Sequence, residues 1–495
     1  MYGCGFAVGF GYASRRSISE IARYKYARDL LLNVYSLPLM SGNSTASGSS
    51  DLVLGWVHEP DGRGTWTIIS TCLLTIFLCC WTSVCPNIPS KKDGATERLR
   101  DKIDLACIGF LGPEFLLMLS LGQWASARVS KFHAAGYKNW TLTHAFFADM
   151  GGFLLRVPGS PDFPLDAEQL YVLVTRRYLQ YPVLEKEEID DKNKADVLSR
   201  FIAVYQGAWF SINCILRASQ RLFLTTLELT TISFIVVFFA TSFCWRCKPS
   251  NVTRAIVLET DTHIDAIREK ICATPQQGWH RTPLDFISRQ EWFCSLFWRY
   301  YVQVLRNLHI PLFSRPVTAR PYDRIPSDNF PMTDNIAEVV CAPILLIFCS
   351  VFMFAWNSTF PSTAELLLWR IASVYTLVFG VAGGLFCGYC HRIWLPEFQS
   401  RRQEPQLVEA GPGVLHLKSN LGGRINRLAT KLRNIDPNKD PNLEVPLRVL
   451  VPLSTLCALY CLCRAYVLVE DMIEMRRLPA TAFKTVLWSQ YMSHW

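Results

Sequence analysis

Charge is scarce in this sequence: of 495 residues only 18% are Asp, Glu, Lys or Arg, below the roughly 25% usual for soluble domains. Half of the chain is hydrophobic, so an ordinary set of soluble domains is excluded and both shifts point toward lipid. The signatures of familiar soluble chemistry are missing too. There is no G-x-x-x-x-G-K-[ST] phosphate loop, no H-E-x-x-H zinc helix, no G-x-S-x-G nucleophile elbow and no kinase signature set. The net charge of +9 is not gathered into a stripe or tail, and no zinc-finger or RNA-binding pattern accompanies it, so nucleic acid is not an expected partner. No repeat in register and no inverted pair of halves is present.

Eighteen cysteines would frame a small secreted chain. Here many sit inside apolar runs, such as Cys72, Cys79, Cys80, Cys341, Cys349, Cys461 and Cys463, where a thiol serves as a small hydrophobe. Two C-x-x-C pairs, Cys244 to Cys247 and Cys387 to Cys390, fall at the ends of apolar segments, the second continuing into His391. Four thiolates can hold zinc, and C-x-x-C-H is a haem-attachment pattern, but in a cysteine-rich membrane chain such coincidences are easy. No cofactor and no metal is expected.

What is abundant is long apolar sequence. Six segments approach the roughly 20 residues needed to cross a bilayer: Trp66 to Cys85, Leu105 to Trp124, Phe223 to Phe243, Val339 to Trp356, Leu366 to Cys387 and Val449 to Val469. Pro113 interrupts the second and Pro343 the fourth, so either can be kinked or re-entrant. The expected fold is all-α, a polytopic transmembrane protein with about six spans. Its expected regions are an atypical N-terminal stretch at 1–53, a membrane domain at 54–392, a loop at 393–447, and a last span with its tail at 448–495. Within the first of these, Lys25 and Arg28 precede Leu30 to Met40 in signal-peptide order.

Lys91, Lys92, Arg98, Arg100 and Lys102 lie between the first two segments, whereas Asn357 to Glu365 has no Lys or Arg. The positive-inside rule then puts the first connection in the cytosol. Counting onward, Ala125 to Leu222 becomes a large lumenal region, and Trp245 to Glu338 and His391 to Leu447 become two sizeable cytosolic ones. The sequons at Asn43 and Asn139 fall on the lumenal side of this map and predict a glycoprotein, while Asn251 falls in the cytosol. Gln290 to Phe313, dense in aromatics with Arg299 and Arg306 among them, reads first as a helix lying on the membrane surface, with packing against the membrane domain as the alternative.

Candidate chemistry is confined to a few residues. Glu114 sits in the middle of the second apolar segment, directly after Gly112 and Pro113, at a depth where an ionisable group is costly and is a functional hypothesis by default. Its alternative is a protonated carboxyl hydrogen-bonded for packing. Glu228, with Thr225 and Thr231 on its helical face, and Arg464, with Tyr460 one turn away, are placed at one membrane face, where they can pair or each reach water. His144 and Asp149 can serve as base and acid at a membrane-facing pocket. Gly380, Gly384 and Gly388 line one helix face and predict close helix packing.

Several phrases carry a resemblance: Gly62-Arg-Gly-Thr65, Leu111-Gly-Pro-Glu114, His144-Ala-Phe-Phe-Ala-Asp149-Met-Gly-Gly-Phe153, Asp191-Lys-Asn-Lys-Ala-Asp196, Arg324-Ile-Pro-Ser-Asp-Asn329, and Arg464-Ala-Tyr466 through Glu470. Together they resemble a large family of fungal polytopic integral membrane proteins of unassigned function, from roughly Leu54 to the C-terminus. The resemblance supplies no catalytic residues. It implies a place beside secondary-metabolite biosynthetic genes, in the endoplasmic reticulum, another endomembrane or the plasma membrane. The leading expectation is an accessory enzyme that isomerises or cyclises a lipophilic intermediate by acid/base chemistry, with Glu114, Glu228 and Arg464 in an apolar pocket. The rivals are an ion or proton pathway, against which the spans show no ring or ladder of ionisable groups, and a scaffold recruiting biosynthetic enzymes.

Overall fold

Apolar runs of this length fold as helices because a helix satisfies its own backbone hydrogen bonds. The computed structural model describes residues 52–488, apart from 60, 61, 138, 186, 188, 190–193, 273–277, 290, 291, 395–428, 430 and 439. Nearly all of the N-terminal stretch, the Asn43 sequon and most of the 393–447 loop lie outside the described residues. Strand β1 (Leu52–Leu54) leads into helix α1 (Thr65–Ser83), followed by α2 (Ala95–Leu111) and α3 (Pro113–Arg128). A mixed stretch comes next, with α4 (Leu142–Asp149), β2 (Phe153–Arg156), β3 (Phe163–Leu165) and α5 (Ala167–Thr175). Then come α6 (Lys194–Ser219), α7 (Thr226–Cys244), β4 (Ile256–Glu259) and α8 (Phe293–Asn307). Helices α9 (Asn335–Ser350), α10 (Thr363–Tyr389) and α11 (Leu447–Ile473) precede the last strand, β5 (Arg477–Pro479).

Five helices are long and apolar enough to cross a membrane: α1, α7, α9 with its 3-10 extension to Ala355, α10 and α11. They match the first, third, fourth, fifth and sixth expected segments. The second segment is different. Pro113 has no amide hydrogen to donate and opens α3 at its first position, so the chain breaks at Gly112 and the two helices bend by 119°. Lys91, before α2, pairs with Asp162, and Ser126, near the end of α3, donates to Asp149. Both open ends of the pair therefore meet the β2–β3 region, and α2–α3 doubles back as a hairpin.

That hairpin changes the side on which later residues fall. Strand β2 pairs antiparallel with β3 and parallel with β4, Phe153 opposite Ile256. Phe153, Phe163, Trp245, Val252 and Trp292 share one buried cluster beneath this sheet. Segments 125–222 and 245–338 were expected on opposite membrane faces, and hydrogen-bonded strands cannot be. Asn139 and Asn251 accordingly lie on one side, here called the sheet face.

Helix α6, which composition does not mark as a candidate span, lies beside α7. Near its start Arg200 donates to the Trp245 carbonyl at the end of α7, and near its finish Arg217 donates to the Phe223 carbonyl just before α7. The two helices thus run antiparallel over one length. Phe201, Tyr205, Ile212 and Ile215 form an exposed apolar face on α6. On the opposite side, the ribbon face, β1 pairs antiparallel with β5.

Helix α8 packs one face against other helices. Phe293, Leu296 and Phe297 are buried with Cys390, Val445 and Leu450, and the Tyr301 hydroxyl donates to Ser454 Oγ at 2.9 Å. Its aromatics fasten the sheet face to the ends of α10 and α11. The glycine series on α10 has one close contact: a Cβ at Gly380 would stand 2.7 Å from Cys349 Sγ, while Gly384 and Gly388 face open space.

Candidate functional site

On α11 and the turn after it, Tyr460, Arg464, Asp471 and Glu474 recur at intervals of four, seven and three. That spacing places them on one helical face. All four are buried. From first to last the line covers about 20 Å at 1.5 Å per residue, and it turns toward α3 and α7.

Glu114 stands at the hairpin tip, the second residue of α3. One carboxylate oxygen accepts from the Tyr460 hydroxyl, and the Glu114 amide donates back to the same carboxyl group. The other oxygen, Oε2, is buried without a hydrogen-bond partner among the described residues. Because Tyr460 is midway along a 27-residue helix, Glu114 is at mid-depth of the helical layer. Arg464, one turn from Tyr460, is 3% exposed, and all three guanidinium nitrogens lack an acceptor among the described residues. The group lies over the rings of Phe348 and Phe352, 5.2 and 5.1 Å from their centroids. It acts electrostatically on Glu114 on one side and Asp471 on the other. Farther along, Asp471 faces Thr226 and Thr230, and the Thr226 amide and hydroxyl donate to Glu474 Oε2 at 2.8 and 2.6 Å.

Glu228 belongs to a separate arrangement. With Thr225 it forms a capping box at the start of α7: the Thr225 amide donates to Glu228 Oε2 and the Glu228 amide to Thr225 Oγ1. Its partners are Arg63, which donates to Oε1, and Arg217, whose Nε is 3.8 Å away. Of the two readings open for Glu228 and Arg464, pairing is not the one made. Arg217 also donates to the carbonyls of Lys484 and Ala482, so the group ties the segment after β5 onto α6 and α7.

His144 and Asp149 do not form an acid–base pair. His144 is buried, its Nδ1 2.7 Å from Thr141 Oγ1 and its Nε2 2.9 Å from the Leu184 carbonyl, so it helps fix the start of α4. Asp149 instead lines a cavity of about 800 Å³ on the sheet face, together with Asp166, Lys248, Gln123, Arg306 and Arg324. It accepts from Ser126 Oγ at 2.7 Å and from the Ala167 amide at 3.0 Å. Burial raises its pKa; burial and then the Asp149 charge push Asp166 up to about 7. Lys248 is 1% exposed, donates to Cys85 O, Asn87 Oδ1 and Gln123 Oε1, and is pushed down by burial to about 8. The cavity lining does not include Glu114, Glu228, His144 or Arg464.

The ladder that the spans were expected to lack therefore exists. Its missed members, Asp471 and Glu474, continue the period begun by Tyr460 and Arg464, a signal present in the sequence. Of the C-x-x-C residues, Cys244 and Cys390 sit in different apolar clusters, and no metal-ligating group of three or more His, Cys, Asp or Glu occurs among the described residues.

The model of a family of unknown function (DUF8562) matches residues 31–135 and 129–274 of the chain. The similarity takes in the hairpin with Glu114 and stops before α11. No curated protein and no solved structure matches the chain.

Proposed function

We propose that this chain is an integral membrane protein that conducts protons along the buried line from Glu114 to Glu474. Six helices, α1, α6, α7, α9, α10 and α11, cross the bilayer in this reading. The α2–α3 hairpin enters from the sheet face, and the basic run Lys91 to Lys102 puts that face in the cytosol. The observation that carries the reading is the under-partnered ladder itself. Glu114 Oε2, the Arg464 guanidinium and Glu474 Oε1 are buried polar groups without hydrogen-bond partners among the described residues. Such groups at bilayer depth are retained at a cost, and proton relays are built from carboxylates spaced along a helix. A broken helix whose positive end reaches mid-membrane is a recurrent feature of transport sites. From Glu114 the helix α3 rises to Gln123 and Ser126 in the cavity wall, which supplies water to the inner end.

The test is proton entry into proteoliposomes carrying a trapped pH dye, driven by a valinomycin-clamped potassium potential. Wild-type protein is expected to acidify the lumen, and Glu114→Gln, at equal abundance, to match protein-free vesicles. Wild-type flux in Glu114→Gln sinks the reading.

A second reading is favoured by one observation, the cavity lined by Asp149 and Asp166. It is an accessory enzyme of fungal secondary metabolism that acts on a lipophilic intermediate at the membrane surface, with Asp149 as acid or base. The two separate by variant: Asp149→Asn abolishes turnover and spares proton flux, whereas Glu114→Gln does the reverse.

A further inference from the structure

The middle of the line carries a second consequence, which rests on the proton reading. Glu114 occupies the place that a free anion takes at a helix N-terminus. Its carboxyl accepts from the Glu114 amide and from Tyr460, and so acts as an anion tethered to the hairpin tip. Opposite it is Arg464, 3% exposed and without a hydrogen-bond acceptor on any of its three nitrogens among the described residues. Ring faces such as those of Phe348 and Phe352 attract a cation but do not fill its N–H directions. A buried cation left this way is costly unless another acceptor meets it. The titratable and charged groups facing Glu114 are Tyr460, Cys461 and Arg464 from α11 and Cys349 from α9.

We propose that Glu114 and Arg464 together form a binding site for a small inorganic monovalent anion, with chloride as the representative. When Glu114 is ionised its own carboxylate fills the site and repels a second anion. A proton on Glu114 cancels that charge, loosens the carboxyl from the amide, and leaves Arg464 and the Glu114 amide to hold chloride. Proton and anion then bind together, each raising the affinity for the other.

The experiment uses the full chain in detergent and follows thermal unfolding in sodium chloride against sodium gluconate, at one acidic and one alkaline pH. A ligand that binds only the folded state raises the unfolding temperature as its concentration rises. Chloride is expected to raise it at acidic pH and to do little at alkaline pH. Glu114→Gln, neutral at both, is expected to respond to chloride equally at both. Arg464→Gln is expected to lose the response. Equal unfolding temperatures in chloride and gluconate at both pH values, in wild type and Glu114→Gln, overturn the site. Because this readout needs no proton flux, a chloride response without flux upholds the anion site while the proton path fails. Flux without a chloride response does the opposite.

Discussion

Two arginines, the half-buried Arg315 on the sheet face and the buried Arg464 between the helices, stand beside two carboxylates each and use them differently. Arg315 meets both in full: Nη1 and Nη2 donate to Asp93 at 2.8 and 2.6 Å, and Nε and Nη2 donate to Asp101 at 2.9 and 2.8 Å. Those partners hold its pKa well above the ordinary arginine value, and the Arg315 contact is what lowers that of Asp93. Arg464 donates to neither Glu114 nor Asp471. A filled set of hydrogen bonds has nothing left to offer a ligand, and its role is to fix residues 93–101 against residue 315. An unfilled set retains its capacity, and only such a set can exchange a proton or an anion without first breaking the fold. The contrast separates structural charge from functional charge more sharply than burial does, since both guanidinium groups are largely out of water.

The largest effect is expected at the filled set. Arg315→Ala strands two carboxylates and is expected to destabilise the protein by about 3–5 kcal/mol, the usual cost of removing one partner of a buried pair. Arg464→Gln deletes a charge that donates no hydrogen bond among the described residues, so it is expected to change unfolding temperature little while abolishing the proposed proton flux. Unfolding of both variants in detergent, at matched pH and salt, measures this. A larger loss in Arg464→Gln than in Arg315→Ala would break the comparison.

An intermediate effect is expected on the ribbon face. Glu228 takes Arg63 and Arg217, so a double-mutant cycle between Arg63→Ala and Glu228→Gln is expected to show a coupling of roughly 0.5–3 kcal/mol. A parallel cycle between Glu228 and Arg464 is expected to be additive. Additivity in the first cycle would mean that the capping box with Thr225 alone, not the ion pair, holds Glu228.

How far these arrangements were legible in the sequence depends on the range of the interaction. Five of the helices followed from apolar length alone, and the break at Gly112-Pro113 from the missing amide of proline. The doubling back did not, because it is set by Lys91 meeting Asp162 and by Ser126 meeting Asp149, contacts that no local pattern encodes. Counting the second segment as a crossing put residues 125–222 and 245–338 on opposite faces, which the pairing of β2 with β4 does not allow. Helix α6 escaped notice because it carries Arg200, Gln206 and Arg217, which lower its mean hydropathy while being satisfied by neighbouring elements. Of the candidate residues, Glu114 and Arg464 were found by depth. The partners of Glu228 were not found because Arg63 is 165 positions away and outside the helices. Asp471 and Glu474 continue the period of Tyr460 and Arg464 but lie beyond the last apolar segment, and the threonines of α7 bring them into the line.

The smallest effect concerns a place on the sheet face where charge is not fully settled. Asp166 caps α5, accepting from the Glu168 and Gln169 amides at 3.0 and 2.9 Å and from the Ser288 hydroxyl, yet burial and neighbouring Asp149 push it up to about 7. Its folded-state pKa thus lies above the unfolded value of about 3.9. The folded state then binds more protons than the unfolded state between those values, so the contribution of Asp166 to stability is fully present below about pH 4 and is lost as pH rises toward 7. Asn is as good an N-cap as Asp but cannot titrate. Asp166→Asn is therefore expected to leave unfolding temperature nearly unchanged at the acidic end and to flatten its fall between about pH 4 and 7. Unfolding temperature as a function of pH, compared between the two proteins, reads the difference. An unchanged slope would mean that the two backbone amides hold the Asp166 carboxylate ionised throughout, and the sheet face would then be filled at this position as well.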